Sequence, residues 1–282
     1  MERIPTFTLN DGNTLPAIGF GTYKAKNALP AMLEAFKTGY RLFDTAWIYE
    51  NEDDVGRAWQ ESGLKRQDVF LATKVWPNYF SADLAKKSID RSLASLGTDY
   101  LDVVYLHWWG SKYREAWKVL EQYKEEGVIR SIAVSNFTRD QIEGLSVKAN
   151  IKPALDQVEI HPLWPETDLL SYLKDQDILP VAYCPLARAK ADLFENELVA
   201  DLCRKYGKTP AQIILNWQVA RSTLVIPKSV HADRIRENFD IFDFTLEGAE
   251  VEALEGLGRA DGKIGHGMDD PEWLDMIEGR EL

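Results

Sequence analysis

Eight short apolar runs recur along the 282-residue chain, each followed by a stretch with helical spacing, and no proline- or glycine-rich linker parts them. The runs are Ile18 to Gly21, Leu42 to Asp44, Val69 to Lys74, Leu101 to His107, Ile129 to Val134, Leu155 to Glu159, Leu179 to Tyr183 and Thr223 to Ile226. Continuous apolar runs that alternate with helices mark a parallel sheet buried on both faces. Eight such units close into a (β/α)8 TIM barrel, and the length suits a single domain of that kind over residues 1–282. An open doubly wound sheet is the competing architecture. It calls for a Gly-x-Gly-x-x-Gly turn after the first strand, and Gly19-Phe-Gly-Thr-Tyr-Lys24 does not supply one. Ahead of the first run, Phe7 to Leu15 alternates around Asp11-Gly12, which predicts a β-hairpin, placed across the bottom of the barrel.

Helices are expected over Ala28–Phe36, Glu52–Ser62, a segment capped by Ser81 and reaching Leu96, Tyr113–Glu126, Arg139–Val147, Thr167–Gln176, Glu195–Tyr206 and Pro210–Ala220, with more helix to about Leu257. Thr209 caps the last named of these, and Pro210 takes the first helical position, where its missing N–H loses no bond. The tail from Gly262 is short, glycine-rich and acidic, and is expected over one barrel end.

A formal net charge of -12 argues against nucleic acid or an anionic membrane as partner. Cys184 and Cys203 form no disulfide framework, and without a C-x-x-C or His-x-His pair no metal site is expected. Met1 to Pro5 lacks an apolar signal core and no run reaches transmembrane length, so the expectation is a cytoplasmic protein. No large apolar surface stripe argues against a monomer.

Three of the runs end on an ionisable group, Asp44, Lys74 and His107, and Tyr49 follows Asp44 in the adjoining loop. In a parallel barrel those ends share one face, where active sites are built. A free phenol, with a pKa near ~10, is too weak an acid at neutral pH. An ammonium about 4 Å from its oxygen, at an effective dielectric of ~20, favours the phenolate by up to ~4 kcal/mol, or roughly three pKa units. The expectation is a phenol whose pKa Lys74 lowers, with Asp44 keeping the lysine charged and His107 orienting a substrate carbonyl.

The segments Phe43-Asp44-Thr-Ala-x-x-Tyr49-x-Asn-Glu52, Ala72-Thr-Lys74-Val-Trp76 and Leu106-His107-Trp108 together resemble the signatures of the aldo-keto reductase family, and the likeness runs nearly end to end. It implies a (β/α)8 barrel that reduces aldehydes and ketones with NADPH. Tyr49 is then the general acid, Lys74 and Asp44 its tuning pair, and His107 the carbonyl-orienting group. Within that family the short chain resembles the bacterial diketogluconate reductases.

The same resemblance implies the cofactor residues. Gly21, Thr22 and Tyr23 lie along the nicotinamide end beside Asp44, and Ser135, Asn136 and Gln157 bond its carboxamide. Tyr183 stacks on the ring, with Pro185 and Leu186 along the pyrophosphate. After the last strand, Lys228, Ser229, Val230 and Arg234 meet the 2'-phosphate, while Glu237 and Asn238 suit the adenine edge. A phosphate site after the eighth strand at a helix start is common in such barrels, and two cations here favour NADPH over NADH. Tyr23, Ile48, Tyr49, Trp76, His107 and Trp108 line the substrate pocket. Trp109 stands where proline is usual, and Pro77, Trp47 and Asp156 are further departures that bear on substrate and on the carboxamide site. A short loop after His107 and a short tail predict a pocket open on two sides.

Two other readings use the same residues. A cofactor-binding sensor or regulatory subunit would carry the fold with little turnover. A barrel aldolase would use Lys74 as a Schiff-base nucleophile, leaving Ser135, Asn136 and Gln157 without a role.

Overall fold

The computed structural model describes residues 4–25 and 28–279. Met1 to Arg3, read above for a signal segment, and the last three residues of the tail lie outside them. A hairpin of β1 (Thr6–Thr8) and β2 (Thr14–Pro16) comes first. The barrel strands follow: β3 (Gly19–Gly21), β4 (Leu42–Asp44), β5 (Phe70–Val75), β6 (Leu101–Leu106), β7 (Ile129–Ser135), β8 (Leu155–Glu159), β9 (Leu179–Tyr183) and β10 (Leu224–Val225). They pair in parallel in sequence order, and a bridge between Ile18 and Val225 closes the ring. The helices between and after them are α1 (Leu29–Thr38), α2 (Glu52–Glu61), α3 (Ala82–Leu96), α4 (Tyr113–Glu125), α5 (Arg139–Ser146), α6 (Thr167–Asp175), α7 (Ala191–Phe194), α8 (Glu197–Tyr206), α9 (Pro210–Ala220), α10 (Ala232–Phe239), α11 (Gly248–Glu255) and α12 (Pro271–Gly279).

The expected architecture therefore holds, with small changes at the ends of elements. The helix predicted from Glu195 begins at Glu197 as α8, because Asn196 leaves helical geometry and caps it through Leu198 N, and the short α7 precedes it. Thr209 caps α9 in a reciprocal box with Gln212, and Pro210 sits at its first position. Ser81 precedes α3 but makes no side-chain capping bond. None of the described helices is long and apolar enough to cross a membrane.

Side chains alternate along each strand, so every strand serves two cores. Phe43, Leu71, Val104, Ile132, Val158 and Val225 face outward into the layer beneath the helices. Leu42, Ala72, Val103, Ala133, Leu155, Val181 and Leu224 point inward and fill the barrel. Leu9 and Leu15 of the hairpin join that inner cluster from below. Asn10 Nδ2 donates to Pro153 O at 2.9 Å, and Asn13 Nδ2 donates to Arg130 O at 3.0 Å. Pro153 precedes β8 and Arg130 is the second residue of β7, which puts the hairpin across the N-terminal end as a plug. The opposite end is left for chemistry. Trimming Leu15 to alanine should lower stability by about 2–5 kcal/mol in a urea titration, since the plug fills space that nothing else reaches.

Candidate active site

The same alternation that fills the barrel with aliphatic side chains carries polar ones at its C-terminal end. Asp44 lies two residues beyond Leu42 on β4, Lys74 two beyond Ala72 on β5, and Gln157 two beyond Leu155 on β8. Lys74 Nζ reaches Asp44 Oδ1 at 2.5 Å and Thr45 O at 2.8 Å, and Gln157 Nε2 donates to Asp44 Oδ2 at 2.8 Å. Both charged side chains are buried. A buried charge is tolerable only when paired and hydrogen-bonded, and this pair meets both conditions.

Tyr49 sits in a 3-10 turn at Trp47–Tyr49, directly after β4. Asn51 pins that turn. Its Nδ2 donates to Thr22 O at 2.9 Å, and its Oδ1 accepts from Thr45 Oγ1 at 2.9 Å. Lys74 Nζ lies 5.1 Å from the centroid of the Tyr49 ring, and Tyr49 Oη is 3.3 Å from His107 Nε2. Trp76 meets the imidazole edge-on, with ring centroids 4.9 Å apart. The four groups read from the sequence are thus brought together.

Their electrostatics differ from the expectation in one respect. Burial first, then the charge of Asp44, hold the Tyr49 phenol well above its ordinary 10 instead of lowering it. The reason is geometric: the lysine charge is taken up by Asp44 and Thr45 O, and the carboxylate opposes its effect on the ring. Burial also pulls the Lys74 ammonium below its usual range, against the opposing pull of Asp44. His107 is held well below 6.5 by burial and then by Lys74, so it is a neutral imidazole near pH 7.

Beside this cluster, Ser135 Oγ donates to Gln157 O at 2.8 Å, and Asn136 Nδ2 donates to Ser135 Oγ at 3.1 Å and to His107 O at 3.2 Å. Tyr183 Oη donates to Asn136 Oδ1 at 2.8 Å. Asn136 holds this position with φ of 59°, a left-handed backbone that asparagine accepts better than most residues. Gly21 is buried, and a Cβ there would stand 2.9 Å from Ile226 O. Thr22 is buried, its hydroxyl donating to Asp44 O, and Tyr23 is exposed with its ring 5.0 Å from that of Tyr49. Pro185 and Leu186 lead into Ala187, Arg188 and Ala189, which have φ of 50°, 53° and 55°. Three successive non-glycine residues in that region are strained, by about 1–3 kcal/mol each, and strain of this kind clusters at ligand sites. The sequence gives no sign of it.

After β10, Lys228, Val230 and Arg234 are exposed, Ser229 and Asn238 are buried, and Glu237 is half-buried. Ser229 Oγ accepts from His231 N at 3.1 Å at the start of α10. Among the described residues neither Lys228 nor Arg234 has a carboxylate partner, although the chain holds 45 acids against 33 bases. Two free cations beside a helix start fit a phosphate, and the amide-rich cradle fits a carboxamide, so the donor set suits a phosphorylated nicotinamide cofactor.

The pocket side departs from the expectation. Trp76, Trp108 and Ile48 meet Trp273, Leu274 and Ile277 of α12, so the tail closes one of the two sides predicted to be open. Trp76 Nε1 donates to Ile277 O at 3.2 Å, and Ser111 Oγ donates to Glu278 Oε2 at 2.9 Å. The strap before α12 is anchored by Glu159 at the end of β8. That buried carboxylate accepts from His161 Nε2 at 3.0 Å, Ile264 N at 2.5 Å and Gly265 N at 2.7 Å. The sequence placed the tail over one barrel end, but gave neither its closure of the pocket nor the Glu159 anchor. The one available signal was the apolar spacing Trp273, Leu274, Ile277 in an otherwise acidic tail.

Residues 6–259 match the model of the aldo/keto reductase family. The chain is 38% identical to the glyoxal reductase of Bacillus subtilis (strain 168) over 269 residues, covering 94% of this chain and 96% of that protein. It is also 38% identical to 2,5-diketo-D-gluconic acid reductase B of a Corynebacterium, over 92% of this chain and 95% of that one. A crystal structure of an aldo-keto reductase complexed with NADPH superposes with a TM-score of 0.86 at 32% identity, covering 91% of this chain and 88% of that one. The chain belongs to the aldo/keto reductase family, whose members are NADP-dependent oxidoreductases.

Two outcomes follow from the buried charges. Lys74→Met alone should cost about 3–5 kcal/mol by urea denaturation, because it strands Asp44, and adding Asp44→Asn should restore most of that loss. His107 has a depressed folded pKa, so below about pH 6.5 the unfolded chain binds a proton that the folded one refuses. Stability should fall with pH in that window by up to ~1.4 kcal/mol per unit, and the slope should shrink in His107→Phe.

Proposed function

We propose that this chain reduces small aldehydes and ketones to alcohols, with Tyr49 as the proton donor. One observation carries this reading: Tyr49 Oη and His107 Nε2 lie 3.3 Å apart beside a buried, paired ammonium at the C-terminal end of the strands. A carbonyl oxygen entering there meets the phenol as donor and the imidazole as a second polar contact. NADPH supplies the hydride to the carbonyl carbon when bound. As negative charge builds on the substrate oxygen, Tyr49 transfers its proton to it, and the proton is replaced from solvent. The high resting pKa of the phenol suits this order: the proton stays until a stronger base forms beside it. Lys74 then stabilises the phenolate left behind. Neutral His107 places no positive charge against the incoming substrate.

Ser135, Asn136 and Gln157 would hold the carboxamide, Tyr183 would lie against the ring, and Lys228 and Arg234 would meet the 2'-phosphate. Gln157 reaches that task with its Nε2 already on Asp44, which ties cofactor position to the charged pair. The pocket walls, Ile48, Trp76, Trp108 and Trp273, are aromatic or aliphatic and carry no cation. They favour small uncharged carbonyls, in keeping with the glyoxal reductase among the relatives.

Following NADPH absorbance with glyoxal, methylglyoxal and a keto sugar acid tests the reading. Tyr49→Phe should keep cofactor affinity and lose about 100-fold or more in turnover, the range for removing a general acid. Unchanged turnover would refute the assignment. Lys228→Ala with Arg234→Ala should raise the KM for NADPH about tenfold or more and leave that for NADH nearly unaltered.

A further inference from the structure

Tyr105 is a buried phenol that the mechanism above leaves unused. It lies on β6 with its side chain in the barrel interior, in register with Lys74 on β5 and Ala133 on β7. The residue is 3% exposed, and the other buried members of that inner cluster, Leu42, Val103 and Leu155 among them, are aliphatic. A hydroxyl in a hydrocarbon layer is costly unless it is bonded, and phenylalanine would fill the space without that cost. The hydroxyl is spent on Gln157, with which the Tyr105 side chain shares a hydrogen bond across β7. Ala133, its neighbour on that intervening strand, is short enough to leave room for the reach.

That contact joins Tyr105 to the charged centre. Gln157 Nε2 donates to Asp44 Oδ2 at 2.8 Å, and Asp44 Oδ1 holds Lys74. Lys74 Nζ lies 5.6 Å from the centroid of the Tyr105 ring and 5.1 Å from that of Tyr49, so the ammonium has two phenols near it. Tyr49 is the one beside His107. We propose that Tyr105 is a positioning residue: its hydroxyl fixes the Gln157 amide, so that the nicotinamide end of the cofactor meets a partner already set in place. A glutamine amide offers two N–H groups and two lone pairs. One N–H is taken by Asp44, and the bond to Tyr105 is a second constraint. Two fixed contacts set the plane of the amide, and with it the direction of the sites left for a ligand. Without the hydroxyl the side chain regains rotational freedom, which the cofactor must then remove on binding. The adenine end is assigned to Lys228 and Arg234 after β10 and does not sense the change.

This inference rests on the cofactor reading, and one experiment separates the two. NADPH and adenosine 2',5'-bisphosphate, which lacks the nicotinamide, are titrated by calorimetry against the intact protein and Tyr105→Phe. Phenylalanine keeps the ring and its packing and removes the hydroxyl alone. The Kd for NADPH should rise about three- to tenfold in the variant, while that for the bisphosphate stays the same. In a Gln157→Met background the same substitution should leave the NADPH Kd where Gln157→Met put it, because the group it acts through is gone. An unchanged NADPH Kd in Tyr105→Phe overturns the proposal. So does an equal loss for both ligands, which a merely loosened barrel would give, or an undiminished effect in the Gln157→Met background. Absence of NADPH binding to the intact protein sinks the cofactor reading itself, and this proposal with it.

Discussion

The Asp44–Lys74 ion pair is the constraint around which the open end of the barrel is arranged. Two opposite charges sit in a space too dry for either alone, and each needs more than the other to stay there. Asp44 receives Gln157 Nε2 on its second oxygen, and Lys74 gives a further bond to Thr45 O. These contacts draw β4, β5 and β8 to one point, on opposite sides of the ring. The pair also decides what its neighbours can be. Added to burial, which is the larger cause for both, Lys74 discourages a charge on His107 and Asp44 one on Tyr49, so both stay neutral until a reacting group changes the balance.

That arrangement depends on the barrel being closed at its other end. Leu9 and Leu15 seal the bottom with hydrocarbon, so the interior below the ion pair is filled by side chains. Water can then reach the charges only from the top, where the tail crosses. The top is narrowed by α12 against Trp76 and Trp108, and the strap leading to it hangs on Glu159. Hairpin and tail, at the two ends of the described chain, thus do matching work on a barrel that contains neither.

Much of this was legible in the sequence, and the parts that were not share a cause. The strands could be read because strands buried on both faces need unbroken apolar runs, and Lys74, Asp44 and His107 stood out because they end such runs. Their alternation with Ala72, Leu42 and Tyr105 already implied that they point inward. The direction of the Tyr49 shift was misread because burial was left out and a charge was counted without its partner: Asp44, bonded to Lys74, opposes the effect of the lysine on the ring. The closed pocket was missed because α12 meets Trp76 and Trp108 across some two hundred positions, and no local pattern announces such a contact. The left-handed turn at Ala187–Ala189 is invisible for the opposite reason, since its alanines would normally announce helix.

Gly262 fixes where the tail crosses the loop after β8. A Cβ at that residue would fall 1.8 Å from Leu163 O, inside the backbone of the loop after β8, so the tail crosses at a height fixed by bare main chain. Everything downstream, including the tryptophan that roofs the pocket, inherits its elevation from this one crossing. A tail transplanted from another barrel of the family would seat at the same level only if it brought a glycine to that spot. The pocket wall of this chain therefore depends on a residue outside the apolar cluster that forms it.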